Sequence, residues 1–393
     1  MSSLDPTSYV LMPDHPLHRV QRTALAAGLL ALALSAVGAV ATPDQFFRSY
    51  LVAYIYWFGI AMGSLAILMI HYVAGGKWSA VIRRVLESST RTLPALAVLF
   101  VPLLFGIGTL YEWAQPAEVA HDALLQKKAL YLNVPFFLVR TVVYFVVWCL
   151  LVHYLNRWSL EQDTSNNPRI TRRLELLSRG GLVAFVGTMS FAAVDWMMSL
   201  EPHWFSTIYA VVVMGGQLLL AMAFTIRVML TLTERGPLDR VVSTEQFHDL
   251  GKLMLAFTML WAYFSFSQLL IMWSGNLPEE SPWYLKRMAG GWQYLGLAII
   301  LFQFLLPFLL LLSRSRKRDA VRLARVAILI LVVRFVDLFW VLTPAFHPQG
   351  FVLHWLDIAC LVGVGGLWVW VFVYQLKGRS ILAVGDPKLP EFA

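Results

Sequence analysis

Residues 51–74 read LVAYIYWFGIAMGSLAILMIHYVA, a run of 24 positions without an Asp, Glu, Lys or Arg. A helix rises about 1.5 Å per residue and the hydrocarbon of a bilayer is roughly 30 Å thick, so a span needs about 20 mostly apolar residues. This stretch is long enough to cross. Nine further segments also qualify: 24–41, 93–111, 132–156, 180–200, 207–232, 250–274, 290–313, 324–343 and 354–376. The ten together occupy slightly more than half of the 393 residues. Ten-residue strands of alternating polarity are absent, which excludes a transmembrane β-barrel.

Composition agrees. The chain is 59% hydrophobic and 14% charged, against roughly 45–50% and about 25% for a soluble domain. The expectation is an all-α polytopic membrane protein with ten transmembrane helices. An amino-terminal segment (1–23) leads into a first helical half (24–200) and a second (201–376), and a tail (377–393) follows. The first span ends in Ala39-Val40-Ala41, which resembles a signal-peptidase site. Its polar leader and long apolar stretch read instead as a retained helix. The tight loop 201–206 forces the fifth and sixth spans to be antiparallel neighbours.

Basic residues fix the expected orientation. Of the 31 Lys and Arg, 20 fall in the amino terminus, the even-numbered connections and the tail, and 5 in the opposite loops. By the positive-inside rule both termini are cytoplasmic. The net charge of +8 then reads as mostly topogenic and headgroup-facing. It forms no basic stripe with aromatic platforms, which argues against nucleic acid as a partner.

Several chemistries drop out. Cys149 and Cys360 lie in different spans without paired spacing, so neither an iron–sulfur cluster nor a structural zinc site can be assembled from them. No phosphate-binding glycine loop or nucleophile elbow is present. His71 and His153, near the cytoplasmic ends of their spans, make a bis-histidine haem geometrically conceivable, although interfacial histidines are the favoured reading. The chain is thus expected to bind no metal or haem itself.

A charged residue at the centre of a span costs roughly 2.5–3.5 kcal/mol on insertion scales, so those that persist need a partner, water or a task. Arg140, Asp195, Asp337 and Asp357 lie at similar depth, on the order of 5–10 Å below the outer face by helical rise. Arg334 lies one turn deeper and is spaced to pair with Asp337 along one helix. Arg140 and Asp195, on consecutive spans, are placed to pair across helices, leaving His354 and Asp357 as neighbours. The set reads either as structural salt bridges or as a proton-handling or quinone-head-group cluster. A second group lies inward, where His248, Asp249 and Lys252 open the seventh span. Tyr263 and Ser267 follow at i,i+4 on the same helix, with Trp261, Ser265 and Gln268 on the adjoining face. These groups suit a water chain or ordinary interhelical hydrogen bonds. Gly59 and Gly63 form a G-x-x-x-G pair that predicts close helix packing, and Pro102 and Pro307 predict kinks with freed carbonyls.

The stretches YLVAYIYWFGIAMGSLAILMIH (50–71), YLNVPFFLVRTVVYF (131–145), FAAVDWMMSLEPHWFSTIYA (191–210), HDLGKLMLAFTMLWAYFSFSQLLIMWSGNLPEESPWYLKR (248–287) and VRFVDLFWVLTPAF (333–346) resemble NrfD-like integral membrane subunits. Among these the chain is most similar to the second NrfD-like subunit of bacterial alternative complex III, a quinol:cytochrome c oxidoreductase. The resemblance implies two four-helix bundles, from spans 2–5 and 6–9, flanked by spans 1 and 10, in a bacterial inner membrane. It implies partners: a paralogous NrfD-like subunit, a periplasmic iron–sulfur subunit, c-type cytochrome subunits with haem c, an oxygen reductase and lipid. It further implies a quinone or menaquinone as the nearby substrate and a proton-conducting role for Asp195, Arg140, Arg334 and Asp337, with His248, Asp249 and Lys252 at its cytoplasmic mouth. The alternatives left open are a proton-coupled carrier and a passive anchor for peripheral redox subunits.

Overall fold

The structure, a computed structural model, describes residues 6–75, 77–165, 167–239, 241–387 and 389. Residues 1–5 of the amino-terminal segment, residues 388 and 390–393 of the tail, and the topogenic Arg240 lie outside the described residues. Among the described residues every regular element is helical. Ten helices are long and apolar enough to cross a membrane. They are α1 (Pro16–Ala41), α2 (Pro43–Ala74), α3 (Arg83–Phe105), α4 (Val134–Thr164), α5 (Pro168–Leu200), α6 (Tyr209–Glu234), α7 (Thr244–Gly275), α8 (Trp292–Leu312), α9 (Ala320–Ala345) and α10 (Trp355–Leu376). The chain is a multi-pass membrane protein.

Several helices overrun the apolar stretches on the Lys/Arg-rich side. Helix α5 starts at Pro168 rather than 180, and α3 at Arg83 rather than 93. Hydropathy reports where lipid begins, whereas a helix starts where a cap satisfies its first amides. Asn167 accepts from the Arg169 amide ahead of α5, and Pro168 occupies the first turn, where a missing N–H costs nothing.

Helices α2–α5 pack as one bundle and α6–α9 as a second, joined by α2 against α6, while α1 and α10 pair with each other and lie on α2. In the most apolar stretch of α2, 94% of residues are buried inside the protein, against 22% for α1, α7 and α8, so those three form the lipid-facing edges. The G-x-x-x-G pair serves the α2–α6 crossing. A Cβ at Gly63 would stand 2.0 Å from the Gln217 carbonyl oxygen, while one at Gly59 would find its nearest neighbour, the Leu220 side chain, at 3.3 Å.

Both prolines are accommodated locally. The Tyr50 hydroxyl donates to the Leu99 carbonyl, in the turn before Pro102, at 2.8 Å. Ahead of Pro307, residues Ile300–Leu305 wind as a π-helix, with the Leu306 amide donating to the Leu301 carbonyl. Widening that turn spares the clash a proline ring otherwise makes with the carbonyl four residues back.

Most of the described basic residues outside the apolar stretches are exposed, but Arg83, Arg84, Arg287 and Lys317 are buried. In the tail, Ile381, Leu382, Ala383 and Leu389 pack into the core. Counting charges by loop cannot see that a loop folds back over a helix end.

Candidate functional site

In the first bundle, Arg140 of α4 meets Asp195 of α5 in a two-pronged pair, Nε to Oδ2 at 2.8 Å and Nη2 to Oδ1 at 3.0 Å. The Tyr144 hydroxyl, one turn along α4, donates to the same carboxylate at 2.7 Å. The third nitrogen of Arg140 donates to the Tyr131 carbonyl at 2.9 Å, and the guanidinium sits over the Tyr131 and Phe136 rings. Asp195 is wholly buried. The i,i+4 spacing of Arg140 and Tyr144 puts both on one face, and three donors fix the buried carboxylate in place. Burial and the nearby Asp195 charge together push the Tyr131 phenol well above its ordinary value.

Beneath this pair lies an aromatic layer of Phe58, Phe100, Phe145, Trp148 and Trp196. Past it, toward the Lys/Arg-rich end, Asn156 and Ser159 of α4 belong to a second polar cluster. Glu87 of α3 faces Arg83 at 3.0 Å, Arg84 at 2.5 Å and Arg91 at 3.6 Å, and accepts from Ser159. Arg84 also pairs with Asp163, and Arg83 with Asp386 of the tail at 3.2 Å. His71 joins here, bonded to Ser79 and 3.4 Å from Asp386. From Tyr144 to Asn156 the packed stretch covers about 18 Å of helix.

The second bundle repeats the Arg140–Asp195 arrangement with different parts. Arg334 and Asp337 of α9 pair along their helix, and both are buried. Gln303, carried on the π-helical turn of α8, donates to Asp337 at 3.5 Å. Arg334 lies flat on α6, where a Cβ at Gly216 would meet its Nη2 at 2.2 Å. Tyr56 of α2 is buried nearby and donates to the Leu331 carbonyl at 3.0 Å. Several buried polar atoms here have no protein partner: Arg334 Nε, Gln303 Oε1, Gln217 Oε1, Ser64 Oγ and Thr225 Oγ1. They run from α8 and α9 to the α2–α6 seam, with Thr225 lying about 12 Å of helix further along α6 than Gln217.

A short internal repeat follows from the geometry, although none is evident along the chain alone. The last helix of each bundle carries V-D-x-x-x-x-L-x-P, at Val194-Asp195 to Pro202 and at Val336-Asp337 to Pro344. In each bundle the third helix supplies the neighbour, Arg140 in one and Gln303 in the other.

Asp357 takes a different part. It accepts from Ser49 at 2.5 Å and from the His354 backbone amide at 2.8 Å, while His354 accepts from Leu356 at 3.3 Å. The two residues form the capping box that starts α10. His71 turns into the inner cluster while His153 sits on the exposed face of α4, so these two histidines do not face one another across a shared site.

The seventh span divides by face. Asp249 and Lys252 pair at 2.9 Å on the accessible side. His248 turns inward, 3.5 Å from Glu245, and Gln268 is buried. Ser265 and Ser267 are half-buried, and Tyr263 is 65% exposed. The grouping of Tyr263 with inward-facing groups is therefore corrected: it shares its helix face with exposed Met259, Phe266 and Leu270. Tyr263→Phe is expected to leave thermal stability in detergent within about 0.5 kcal/mol, as for surface positions without partners.

The sequence reading also missed Arg287. It is fully buried, donates to Glu201 at 2.9 Å and to the carbonyls of Trp283, Trp340 and Val341, and stacks on the Trp283 ring at 3.6 Å. Burial pushes its pKa below the ordinary value, against the opposing pull of Glu201. The bond locks the α5–α6 loop to the end of α9. The signal for it was the lone Glu201 in a cation-free loop.

No protein-family model and no curated protein matches this chain.

Proposed function

We propose that this chain is a membrane subunit, carrying no redox centre of its own, of a quinol-oxidising electron-transfer complex of the alternative complex III type. In this reading it resides in the bacterial cytoplasmic membrane with both termini inside, beside an NrfD-like paralogue and partners that hold iron–sulfur clusters and haem c. Quinol oxidation near the outer face releases protons, and the chain offers buried groups to carry them.

One observation carries the reading: the buried polar atoms without protein partners that lead inward from Arg334 and Asp337 along the α2–α6 seam. Buried polar groups are almost always satisfied, by water when protein supplies nothing. Purely structural packing between helices gains nothing from five such atoms, three of them on α2 and α6. The first bundle is closed by contrast, since its aromatic layer separates Asp195 from the Glu87 cluster. In this reading the protons travel by the second bundle and the α2–α6 seam, where the unpartnered groups lie.

Affinity purification of the full chain from its native membrane in mild detergent tests this. The expected result is co-purifying c-type haem, visible by absorption, with quinol:cytochrome c turnover in the same fraction. A chain that comes out alone, without haem or turnover, would overturn the assignment in favour of a carrier.

A further inference from the structure

At the Lys/Arg-rich end, the start of α1 and the turn after α6 line an open pocket of about 510 Å³, formed by Pro13, Asp14, His15, Pro16, His18, Arg19, Arg22 and Arg235. Three guanidiniums from two elements converge on it, and Asp14 is the one carboxylate in its wall. Arg19, Arg22 and Arg235 are exposed, and no ion pair engages them among the described residues. This sets them apart from Arg83, Arg84, Arg140, Arg287 and Arg334, each matched to an acid.

The wall is built rather than incidental. His15 is 2% exposed and accepts from the Leu17 amide at 3.3 Å, which caps α1. His18 is tied to the Met12 carbonyl at 3.0 Å. Burial lowers the His15 pKa, so at neutral pH it adds shape and no charge. The cavity therefore carries an excess of two positive charges.

An apolar stripe leads away from it. Along α1, Arg19 and Arg22 are followed on the same exposed face by Ala26, Leu29, Leu30, Ala33 and Val37, with Leu30 and Val37 each 65% exposed. From Arg22 to Ala33 the stripe covers about 17 Å, slightly more than half the thickness of the hydrocarbon. A phosphate at the cavity and an acyl chain on the stripe match charge and length together. Basic pockets between membrane helices are sites for anionic head groups.

We propose that this cavity seats the phosphate of one anionic glycerophospholipid, whose acyl chain lies along the outer face of α1. The proposal rests on the multi-pass architecture and is independent of the quinol reading.

Native mass spectrometry of the delipidated full chain tests it, with phosphatidylglycerol, phosphatidylcholine or glycerol 3-phosphate added back. One retained phosphatidylglycerol is expected at a ratio where phosphatidylcholine is not retained, with glycerol 3-phosphate failing to compete. In the triple variant Arg19→Gln, Arg22→Gln, Arg235→Gln, retention should fall roughly a hundredfold, at about fivefold per basic residue near an anionic lipid. A control removing equal charge at exposed Arg169, Arg173 and Arg314 should retain the lipid. So should the triple Lys variant, which keeps charge and guards against a folding defect in the Gln protein. Equal retention by the Gln variant, equal retention of phosphatidylcholine, or competition by glycerol 3-phosphate would overturn the proposal.

Discussion

Asp195→Asn is expected to lower stability by about 3–5 kcal/mol, the cost of breaking a buried ion pair from one side. The carboxylate is wholly buried and accepts two bonds from Arg140 and one from Tyr144. An amide in its place removes the charge that keeps a buried guanidinium tolerable. Adding Arg140→Gln should return much of the loss, because it removes the uncompensated buried charge that makes the single variant costly. Thermal melting of both variants in detergent reads this part. Turnover of the assembled complex reads the functional part. If the pair serves protons, the double variant regains its fold and stays slow in quinol:cytochrome c turnover. If it regains turnover as well, the pair only holds α4 to α5 and the proton role fails.

That contrast separates two readings that the sequence left open. Arg140, Asp195, Arg334 and Asp337 were legible because charge is scarce within spans and each residue has an opposite charge at a workable depth. The ten helices were legible for the same reason, since apolar length is read directly along the chain. Glu87, Arg83, Arg84 and Asp386 were not. They lie at a span end, where hydropathy assigns any charge to headgroups, and their burial depends on the tail folding back from some 300 residues away. Gln303 was missed because its contact with Asp337 depends on a π-helical turn, a register shift invisible to a 3.6-residue period. Tyr263 failed in the opposite sense. Its spacing with Ser267 was real, but spacing alone does not say whether a helix face turns toward a bundle or toward lipid.

The seam that joins the bundles also gives the sharpest test of the fold. Gly63→Ala should cost about 3 kcal/mol or more, at or beyond the upper end for overpacking a filled interior. The added methyl would lie 2.0 Å from the Gln217 carbonyl oxygen and 2.6 Å from its carbon. These are backbone atoms of α6, so no rotamer change relieves the contact and the two helices must separate. Gly59→Ala, one turn away on the same face, meets only the side chains of Leu220 at 3.3 Å and Gln217 at 3.5 Å, and these can shift. Its cost should stay below about 1 kcal/mol, since only flexible side-chain ends must give way. Fluorescence-detected gel filtration after a temperature series distinguishes the two, with Gly63→Ala losing its monodisperse peak well before Gly59→Ala. Separating α2 from α6 also moves Gln217, which packs against Gly59 and Gly63 at that crossing. Any Gly63→Ala protein recovered at low temperature should therefore turn over more slowly than its folded fraction accounts for. Equal behaviour of the two glycine variants would mean that the crossing is looser than this geometry, and the route along it would lose its structural basis.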